Sequence, residues 1–488
     1  MTSTRFAAGF VVVLLFSAFV VFMGSATAPI RNDEAVYALL ADRIHNGGDW
    51  LYLQHWWIAD QFYFDKPPLY LWLSAATEAV IGFQPLAFRL WSGIFACGAV
   101  LCTIAIGRNL HNAAIGLIAG LVLAVDSRFL YSLGARDGVF NSTIVFFGAA
   151  ALATITSEWP RRRPLLGWLC LALCGAAAGW VKPLNGLIVF AIAGAAALCL
   201  PTAERRPHVR MLALAAGPMV AANLLWPLLQ WIHFGDLFVA RFVDVNLVTR
   251  FVEGLDPGHL RPWYYYSTIV QPAMALGWLA AAWQFARRRR SADAIVCLVP
   301  LLYLAVISLT PSKLAHYAVP CFPLLAVAAG ALIWQLASLL TSKWRTVALA
   351  AVAIALGASG LYKLGRDLEA RPAQNWARPE CPASAEPGRQ AEVLLVGVSA
   401  LDQLETKLVS RTLQFNLRRF GDRLRLVDAP TVRDIVQRQV PALIFVTRIG
   451  DGDLAELGLA DLPPIGRLRG AREKPVEIFA VGLSPACS

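Results

Sequence analysis

The chain has 488 residues, of which 57% are hydrophobic and 15% charged, and its mean hydropathy is +0.56. A soluble domain of this length does not need so apolar a composition for its core, so we expect a membrane protein. The formal net charge of +11 comes largely from basic clusters beside apolar runs, and it does not indicate nucleic acid as a partner.

The apolar runs predict a multi-span α-helical membrane protein with about eleven transmembrane helices. The first run is long for a signal peptide and many further runs follow it, so we interpret it as a retained helix. The runs cover residues 6–30, 86–107, 113–132, 138–157, 165–181, 184–200, 211–230, 264–286, 292–309, 318–341 and 346–363.

Basic clusters set the predicted orientation. They lie at residues 161–163, 205–210, 287–290 and 343–345. With a cytoplasmic amino terminus, an eleven-span topology places all four on the cytoplasmic side, as the positive-inside rule requires. The opposite side then receives the polar segments 31–85, 127–137, 231–263 and 310–317. Because the ionisable residues collect in these segments and not in the middle of spans, chemistry at the outer membrane surface is favoured over transport.

The run FDKPPLY, residues 64–70, lies in the large first outer loop, 31–85. Two successive prolines hold the backbone extended, so Asp65 and Lys66 are expected to point to opposite sides. A fixed ammonium at a membrane surface suits an anionic lipid-phosphate substrate. The alternative is a loop that carries one acid and one base without a role.

The last part of the chain changes character. We predict a transmembrane domain over residues 1–363 and a small periplasmic α/β domain over 364–488, which begins with a linker rich in Pro and Ala. The expected strands are EVLLVGVS, RLRLVDA, ALIFVTRI and PVEIFAVGL, and LDQLETKLVSRTLQFNLRRF and TVRDIVQRQ are expected to be helical. Cys381 and Cys487 bracket this domain, and an oxidising compartment would allow them to pair, which the sequence leaves open.

A series of ordered motifs resembles the membrane glycosyltransferases that use polyprenyl-phosphate sugars. Within them the chain is most similar to the aminoarabinose transferase and protein O-mannosyltransferase group, which has the GT-C fold. The motifs are Asp33-Glu34 in RNDEAVYALLADRI, FDKPPLYLW, FRLWSG with Arg89, GARDGVFNS with Arg136 and Asp137, GWVKPLNGL with Lys182, PGHLRPWYYY, and SKLAHYAVP. Two departures leave the donor sugar unnamed: Asp65 stands where the aminoarabinose transferases usually have Glu, and Lys182-Pro183-Leu184 stands in place of Lys-Gly-Pro.

The resemblance implies a donor sugar on a polyprenyl phosphate, whose phosphate gains negative charge as the glycosyl bond breaks. Lys66 is the first candidate to bind that phosphate, and the family pattern adds Tyr317. Arg261 and Lys313 are reserves. Lys313 and Tyr317 would otherwise be interfacial anchors.

The resemblance also implies two catalytic acids. Asp33 is the candidate acid–base residue, with Glu34 beside it, although acids here would also favour a helix start. Asp137 is expected to close the site opposite Asp33, and its neighbour Arg136 would simply pair with it.

Asp65 and His259 correspond to positions that would bind a divalent cation, zinc, magnesium or manganese, in the aminoarabinose transferases. Two ligands are fewer than a structural zinc site uses, and a lone loop histidine is more often just solvated. A metal cofactor is therefore an open expectation.

We thus predict a glycosyltransferase in the bacterial inner membrane, with its active site and last domain on the periplasmic side. The expected partners are a polyprenyl-phosphate sugar donor, an envelope lipid or protein acceptor, and membrane lipids. A lipid A-type glycolipid is the first expected acceptor and a protein the second. A lipid-linked-sugar flippase or binding protein is the alternative from another class.

Overall fold

The computed structural model describes residues 3–28, 30, 33–54, 62–249 and 257–370, and within the tail 392–397, 424–427, 429–438, 442–447, 457–459, 461–462, 466–469 and 475–481. The chain divides into two compact units. The first comprises Met1–Ala26 with Ala41–Arg371, and the second comprises Thr27–Leu40 with Pro372–Ser488.

The first unit is helical. In chain order the helices are α1 (Ser3–Phe22), α2 (Asp33–His45, which continues from the second unit), α3 (Leu69–Ile81), α4 (Pro85–Leu110), α5 (Ala113–Ala124), α6 (Ser127–Tyr131), α7 (Asn141–Thr156), α8 (Trp159–Arg162), α9 (Pro164–Val181), α10 (Asn185–Leu198), α11 (Thr202–Phe234), α12 (Asp236–Phe238), α13 (Pro272–Arg288), α14 (Ser291–Ser308), α15 (Phe322–Ser338) and α16 (Ser342–Ala370). A π-helical segment, Val239–Thr249, follows α12.

Within the described residues, seven helices are long and apolar enough to cross a membrane. They are Ser3–Phe22, Pro85–Leu110, Pro164–Val181, Thr202–Phe234, Ser291–Ser308, Ala315–Ser338 and Ser342–Ala370. Helices α3, α5, α7 and α10 are apolar but shorter. The predicted multi-pass helical architecture is confirmed, whereas the number of about eleven spans stays a prediction.

Two predicted boundaries differ from the structure. The first outer segment, 31–85, was expected to be a loop with one short helix at AVYALLADRI, and it contains both α2 and α3. Helix α3 was missed because its apolar sequence LYLWLSAATEAVI has 13 residues, fewer than a span needs. The linker was expected to begin at residue 364, but α16 continues to Ala370, since no proline or glycine stop lies in RDLEA.

Small residues allow the helices of the first unit to pack closely. A Cβ added at Gly277 of α13 would lie 2.4 Å from the backbone nitrogen of Ala329 in α15. A Cβ at Gly107 of α4 would lie 2.8 Å from the Cα of Gly116 in α5. Backbones approach this closely in membrane helix bundles because van der Waals contact, and not hydrophobic burial, drives association there.

The second unit contains a five-stranded mixed sheet. Its strands are β1 (Glu392–Gly397), β2 (Leu424–Val427), β3 (Ala442–Thr447), β4 (Gly466–Arg469) and β5 (Pro475–Val481), in the order β2-β1-β3-β5-β4. Strand β1 pairs in parallel with β2 and β3, and β5 pairs antiparallel with β3 and β4.

Four of the strands coincide with the apolar runs expected from the sequence, and α17 (Ala429–Gln437) coincides with TVRDIVQRQ. Strand β4 was not expected, because GRLR lacks an apolar run. The run 401–420 and the cysteines Cys381 and Cys487 lie outside the described residues. That this part of the chain is a soluble periplasmic domain stays a prediction.

Candidate active site

A cavity of about 630 Å³ opens in the first unit and gathers several of the predicted site residues. Asp65, Lys66, Lys182 and Tyr317 all line it. These residues come from three separate connections: the segment before α3, the turn between α9 and α10, and the segment between α14 and α15. The helices therefore bring together side chains that are far apart in the sequence.

Two helix faces form the apolar wall of the cavity. Helix α10 contributes Leu187, Ile188, Ala191, Ile192 and Ala195, and α14 contributes Val299, Leu302, Val306 and Ile307. Both sets recur every three or four residues, which places each set on one face of its helix. The polar lining lies at the start of α10 and at the end of α14, so the two helices run in opposite directions along the groove.

The groove is partly open to the outside of the first unit. Leu187 on α10 and Leu302 on α14 remain 47% and 55% exposed although they line the cavity. Eleven residues separate Leu184 from Ala195 and Val299 from Thr310, so each wall is roughly 16 Å long at 1.5 Å per helical residue. An apolar chain that enters from the bilayer would thus lie between the two helices, with its head among the polar residues.

The FDKPPLY segment places one acid and one base at the polar end. Both Asp65 and Lys66 are half-buried. Lys66 Nζ donates a hydrogen bond to the carbonyl oxygen of Asp65 at 3.0 Å. Pro67 and Pro68 precede α3, where prolines fit because the first helical positions need no N–H donor. The two prolines restrict the backbone after Lys66, and the hydrogen bond to the Asp65 carbonyl oxygen restrains its ammonium.

Lys182 ends α9 and lies over the ring of Tyr317. Its backbone is extended, and Leu184, two residues later, adopts a left-handed conformation with φ of 66° before α10 begins. Lys182 Nζ is 4.7 Å from the centroid of the Tyr317 ring and 6.0 Å from that of Phe140. The ammonium and the aromatic faces attract one another, which orients both Lys182 and Tyr317.

Tyr317 is also fixed through its backbone. The hydroxyl of Tyr303 on α14 donates to the carbonyl oxygen of Tyr317 at 2.7 Å. Tyr303 itself lines the cavity. The two tyrosines therefore join α14 to the segment that carries Tyr317.

Arg261 and Lys313, the predicted reserves, do not line the cavity. Lys313 is buried and its Nζ donates to the carbonyl oxygens of Arg261 at 3.2 Å and Thr310 at 2.5 Å. The backbone N–H of Lys313 donates to the carbonyl oxygen of His259 at 2.9 Å. Burial lowers the pKa of the Lys313 ammonium. Lys313 thus joins the segment around Arg261 to the segment 310–317, which is a structural contribution.

Arg89 and Arg136 contact the carboxyl end of α1. Arg89 Nη1 donates to the carbonyl oxygen of Ser25 at 2.9 Å, and Arg136 Nη2 donates to that of Met23 at 2.8 Å. Arg136 Nε forms an ion pair with Asp367 of α16 at 3.0 Å. The guanidinium of Arg136 thus contacts α1 and α16 as well, which the sequence did not predict, and its expected pairing with Asp137 stays a prediction.

The predicted acids lie in different parts of the chain. Asp137 is buried in the turn before α7. Asp33 and Glu34 form the first turn of α2, in the second unit, where Asp33 is exposed and Glu34 is buried. An acidic start to a helix is favourable in itself, since carboxylates interact well with the positive end of the helix dipole.

The cavity is also lined by polar residues that the sequence reasoning missed, among them His316, Asn141 and Asn185. His316 stands in SKLAHYAVP directly before Tyr317, so its position in that motif was the available signal. Asn141 and Asn185 are the first residues of α7 and α10. Their side-chain nitrogens donate to carbonyl oxygens of the preceding turns, that of Leu133 at 2.8 Å and that of Lys182 at 3.3 Å.

The predicted metal ligands do not form a complete site. Asp65 lines the cavity, whereas His259 lies beside Lys313. Among the residues that the structure describes, no three His, Cys, Asp or Glu side chains gather as a metal site would require. No chemical step is therefore assigned to a metal here, and metal dependence stays a prediction.

Comparison with known proteins confirms the predicted resemblance. Residues 65–231 match the family described as dolichyl-phosphate-mannose-protein mannosyltransferase. The chain is 28% identical over 394 residues to an undecaprenyl phosphate-α-4-amino-4-deoxy-L-arabinose arabinosyl transferase of Pseudomonas aeruginosa, with 75% of this chain and 64% of that protein aligned. The chain thus spans about 64% of the length of the curated relatives it matches.

Solved structures confirm the fold. ArnT from Cupriavidus metallidurans, in its crystal structure bound to undecaprenyl phosphate, superimposes with a TM-score of 0.69 at 17% identity, over all of both chains. The archaeal oligosaccharyltransferase AglB from Archaeoglobus fulgidus gives a TM-score of 0.53 at 11% identity, over 91% of this chain and 69% of that one. The chain shares the GT-C architecture of these membrane proteins.

Proposed function

We propose that this chain, whose sequence and fold resemble those of polyprenyl-phosphate-dependent membrane glycosyltransferases, transfers a sugar from a polyprenyl-phosphate donor to an envelope acceptor. The observation that carries the proposal is the cavity, in which Lys66 and Lys182 meet an apolar groove between α10 and α14. A polyprenyl phosphate has the matching shape, an anionic head on a long apolar chain. The undecaprenyl phosphate bound to the Cupriavidus metallidurans protein supports this class of ligand.

In the proposed reaction the bond between the anomeric carbon and the phosphate oxygen breaks, and its electron pair stays with the phosphate. The acceptor oxygen forms the new bond to the anomeric carbon, with inversion by analogy to the family. Lys66 stabilises the charge that develops on the phosphate, since a positioned cation acts where the transition state gains charge. Lys182 and Tyr317 complete the polar end.

Asp33 is proposed as the acid–base residue. A hydroxyl acceptor would give its proton to Asp33, whereas a lipid-phosphate acceptor is already an anion and needs little help from a base. In that second case Asp33 would orient the acceptor or stabilise positive charge at the sugar carbon. Asp137 is proposed as the second acid of the site.

The proposed site faces the periplasm. Two helices support this placement, because each has a basic cluster at one end and cavity residues at the other. Helix α9 begins after residues 161–163 and ends at Lys182, and α14 begins after residues 287–290 and ends before Thr310. Basic clusters mark the cytoplasmic side of inner-membrane proteins.

The first proposed acceptor is a glycolipid of the lipid A type, by analogy with the aminoarabinose transferases that the sequence resembles. A protein acceptor is the second candidate, because residues 65–231 match the protein mannosyltransferase family. Mass spectrometry of envelope lipids and glycoproteins, from cells with and without the gene, separates the two. A sugar lost from one class identifies the acceptor, and no loss from either class contradicts transferase activity.

The variant Asp33→Ala distinguishes a glycosyltransferase from a lipid-linked-sugar flippase. Loss of sugar transfer with intact lipid translocation is expected from a transferase, and the reverse would indicate a flippase.

Metal dependence is checked in the same assay by adding EDTA and restoring zinc, magnesium or manganese one at a time. Full activity in EDTA would exclude an exchangeable metal.

A further inference from the structure

His316 lies at the polar end of the cavity, between residues already assigned to the phosphate. Its imidazole lines the cavity and makes an edge-to-face contact with the Tyr317 ring, with centroids 4.8 Å apart and planes at 84°. The face of Tyr317 is in contact with Lys182 Nζ. His316 and Lys182 thus both contact Tyr317, and all three side chains border the same space.

The charges around His316 favour an anion. Lys182, His259 and Lys66 all act electrostatically on the imidazole. Among the described residues that line the cavity, Asp65 is the only acidic one. Cations that line one partly buried cavity repel one another, so an anion bound among them relieves an unfavourable arrangement. The site is therefore suited to a group with more than one anionic oxygen.

An imidazole can donate a further hydrogen bond to an anionic group that two ammonium groups already bind. It offers a directional N–H donor, and a hydrogen bond from a ring nitrogen to a charged oxygen is among the stronger ones in proteins. Because Tyr317 is held by Lys182 and Tyr303, the adjacent His316 is held in a defined position as well.

We infer that His316 binds the phosphate of the lipid donor together with Lys66 and Lys182. This inference rests on the proposed function and adds a residue that the sequence analysis did not name as a site residue. His316 is a binding residue in this assignment, and it takes no part in proton transfer to the acceptor.

The test is binding of undecaprenyl phosphate to the purified full chain in detergent, with the uncharged alcohol undecaprenol as the second probe. His316→Ala should weaken undecaprenyl phosphate binding about tenfold, the size expected for one hydrogen bond to a charged group. His316→Gln, which keeps an N–H donor, should recover part of the loss. Undecaprenol should bind all the variants equally.

His233→Ala is the matched control, because His233 is exposed and outside the cavity lining and its loss should leave both affinities unchanged. Equal affinity of His316→Ala and the unaltered protein for undecaprenyl phosphate would overturn the inference alone. An equal fall for undecaprenol would also overturn it, since the effect would then be one of shape. Failure of the unaltered protein to bind undecaprenyl phosphate would instead overturn the proposed function.

Discussion

At the scale of single residues, Lys66 combines a restricted backbone with a restrained side chain. Two prolines follow it, and its ammonium donates a hydrogen bond to the Asp65 carbonyl oxygen, so part of its ordering precedes substrate binding. Lys182 is fixed differently, by the ring of Tyr317. The two ammonium groups that we propose to bind the phosphate are thus restrained by independent contacts.

Replacing Lys66 should therefore affect turnover more than folding. Lys66→Ala is expected to lower the transfer rate by about 10²–10³-fold, which is typical for removal of one group that stabilises transition-state charge. Lys66→Arg keeps the charge but not the shape, and it should retain part of the rate. The rates are measured in membranes with saturating lipid donor. Equal rates for Lys66→Ala and the unaltered protein would exclude Lys66 from catalysis.

Asp126 lies in the connection between α5 and α6, at the outer end of the apolar run 113–132, and its carboxyl group caps α6. Its Oδ1 accepts from the N–H groups of Arg128 and Phe129. Burial raises its pKa from 3.8 to about 6, against the opposing effects of these hydrogen bonds and of Lys363 and Arg128. The folded state thus holds the Asp126 proton more tightly than the unfolded state does. Stability should fall as the pH rises from about 4 to 6.

Asp126→Asn removes the cost of ionising a buried carboxyl group and keeps a good helix N-cap. It should raise the free energy of unfolding at pH 7 by up to about 3 kcal/mol, since each pKa unit corresponds to about 1.4 kcal/mol. Near pH 4 the variant and the unaltered protein should unfold alike. Thermal unfolding in detergent at both pH values is the measurement. A lower melting temperature for Asp126→Asn at pH 7 would show that the carboxylate stabilises the fold.

At the scale of helices, packing depends on a few positions without side chains. Gly277 of α13 is in direct contact with the backbone of α15 at Ala328 and Ala329, whereas Gly357 of α16 has open space around it. The two glycines form a natural pair for comparison, since both are helical and differ in what a Cβ would meet.

Gly277→Ala should destabilise the protein by about 1–3 kcal/mol, because backbone atoms at 2.4–2.6 Å from the new Cβ cannot move aside as a side chain can. Gly357→Ala should be neutral or stabilising by up to about 1 kcal/mol, because alanine is the better helix former. Melting temperatures in one detergent compare the two. If both variants melted alike, close backbone packing at Gly277 would not be important for stability.

The packing of the helices determines which parts of the site could be predicted from the sequence. Asp65, Lys66, Lys182 and Tyr317 were found because each stands in a motif, and the structure does bring them to one cavity. The contact of Lys182 with Tyr317 could not be foreseen, because it depends on how α9 packs near the α14–α15 connection. His316 was missed for a similar reason, since only packing shows which residue of a motif borders the cavity.

At the scale of the whole molecule, the orientation in the membrane is the largest open prediction. Trp263 belongs to a predicted periplasmic segment and is 77% exposed, and Arg162 belongs to a predicted cytoplasmic cluster with a side chain that is 75% exposed. Both sites are accessible enough to report on the side of the membrane they occupy.

Each site can be labelled through a new cysteine, in chains that lack Cys381 and Cys487. In intact spheroplasts a membrane-impermeant maleimide should label Trp263→Cys but not Arg162→Cys, because only the periplasmic face is reachable. After permeabilisation it should label both. Labelling of Arg162→Cys alone in intact spheroplasts would invert the topology and move the proposed site to the cytoplasm.

The contacts of Arg136 bear on how the protein is made. Its guanidinium binds carbonyl oxygens of Val20, Val21 and Met23, which leave the ribosome early, and pairs with Asp367, which is made near the end of the first unit. During synthesis, Asp367 is therefore added more than two hundred residues after Arg136, and the ion pair can form only then. Assembly of the region around Arg136 is completed only when α16 is made, so a chain stopped before α16 would lack the buried ion pair with Asp367 and would be a target for membrane quality control.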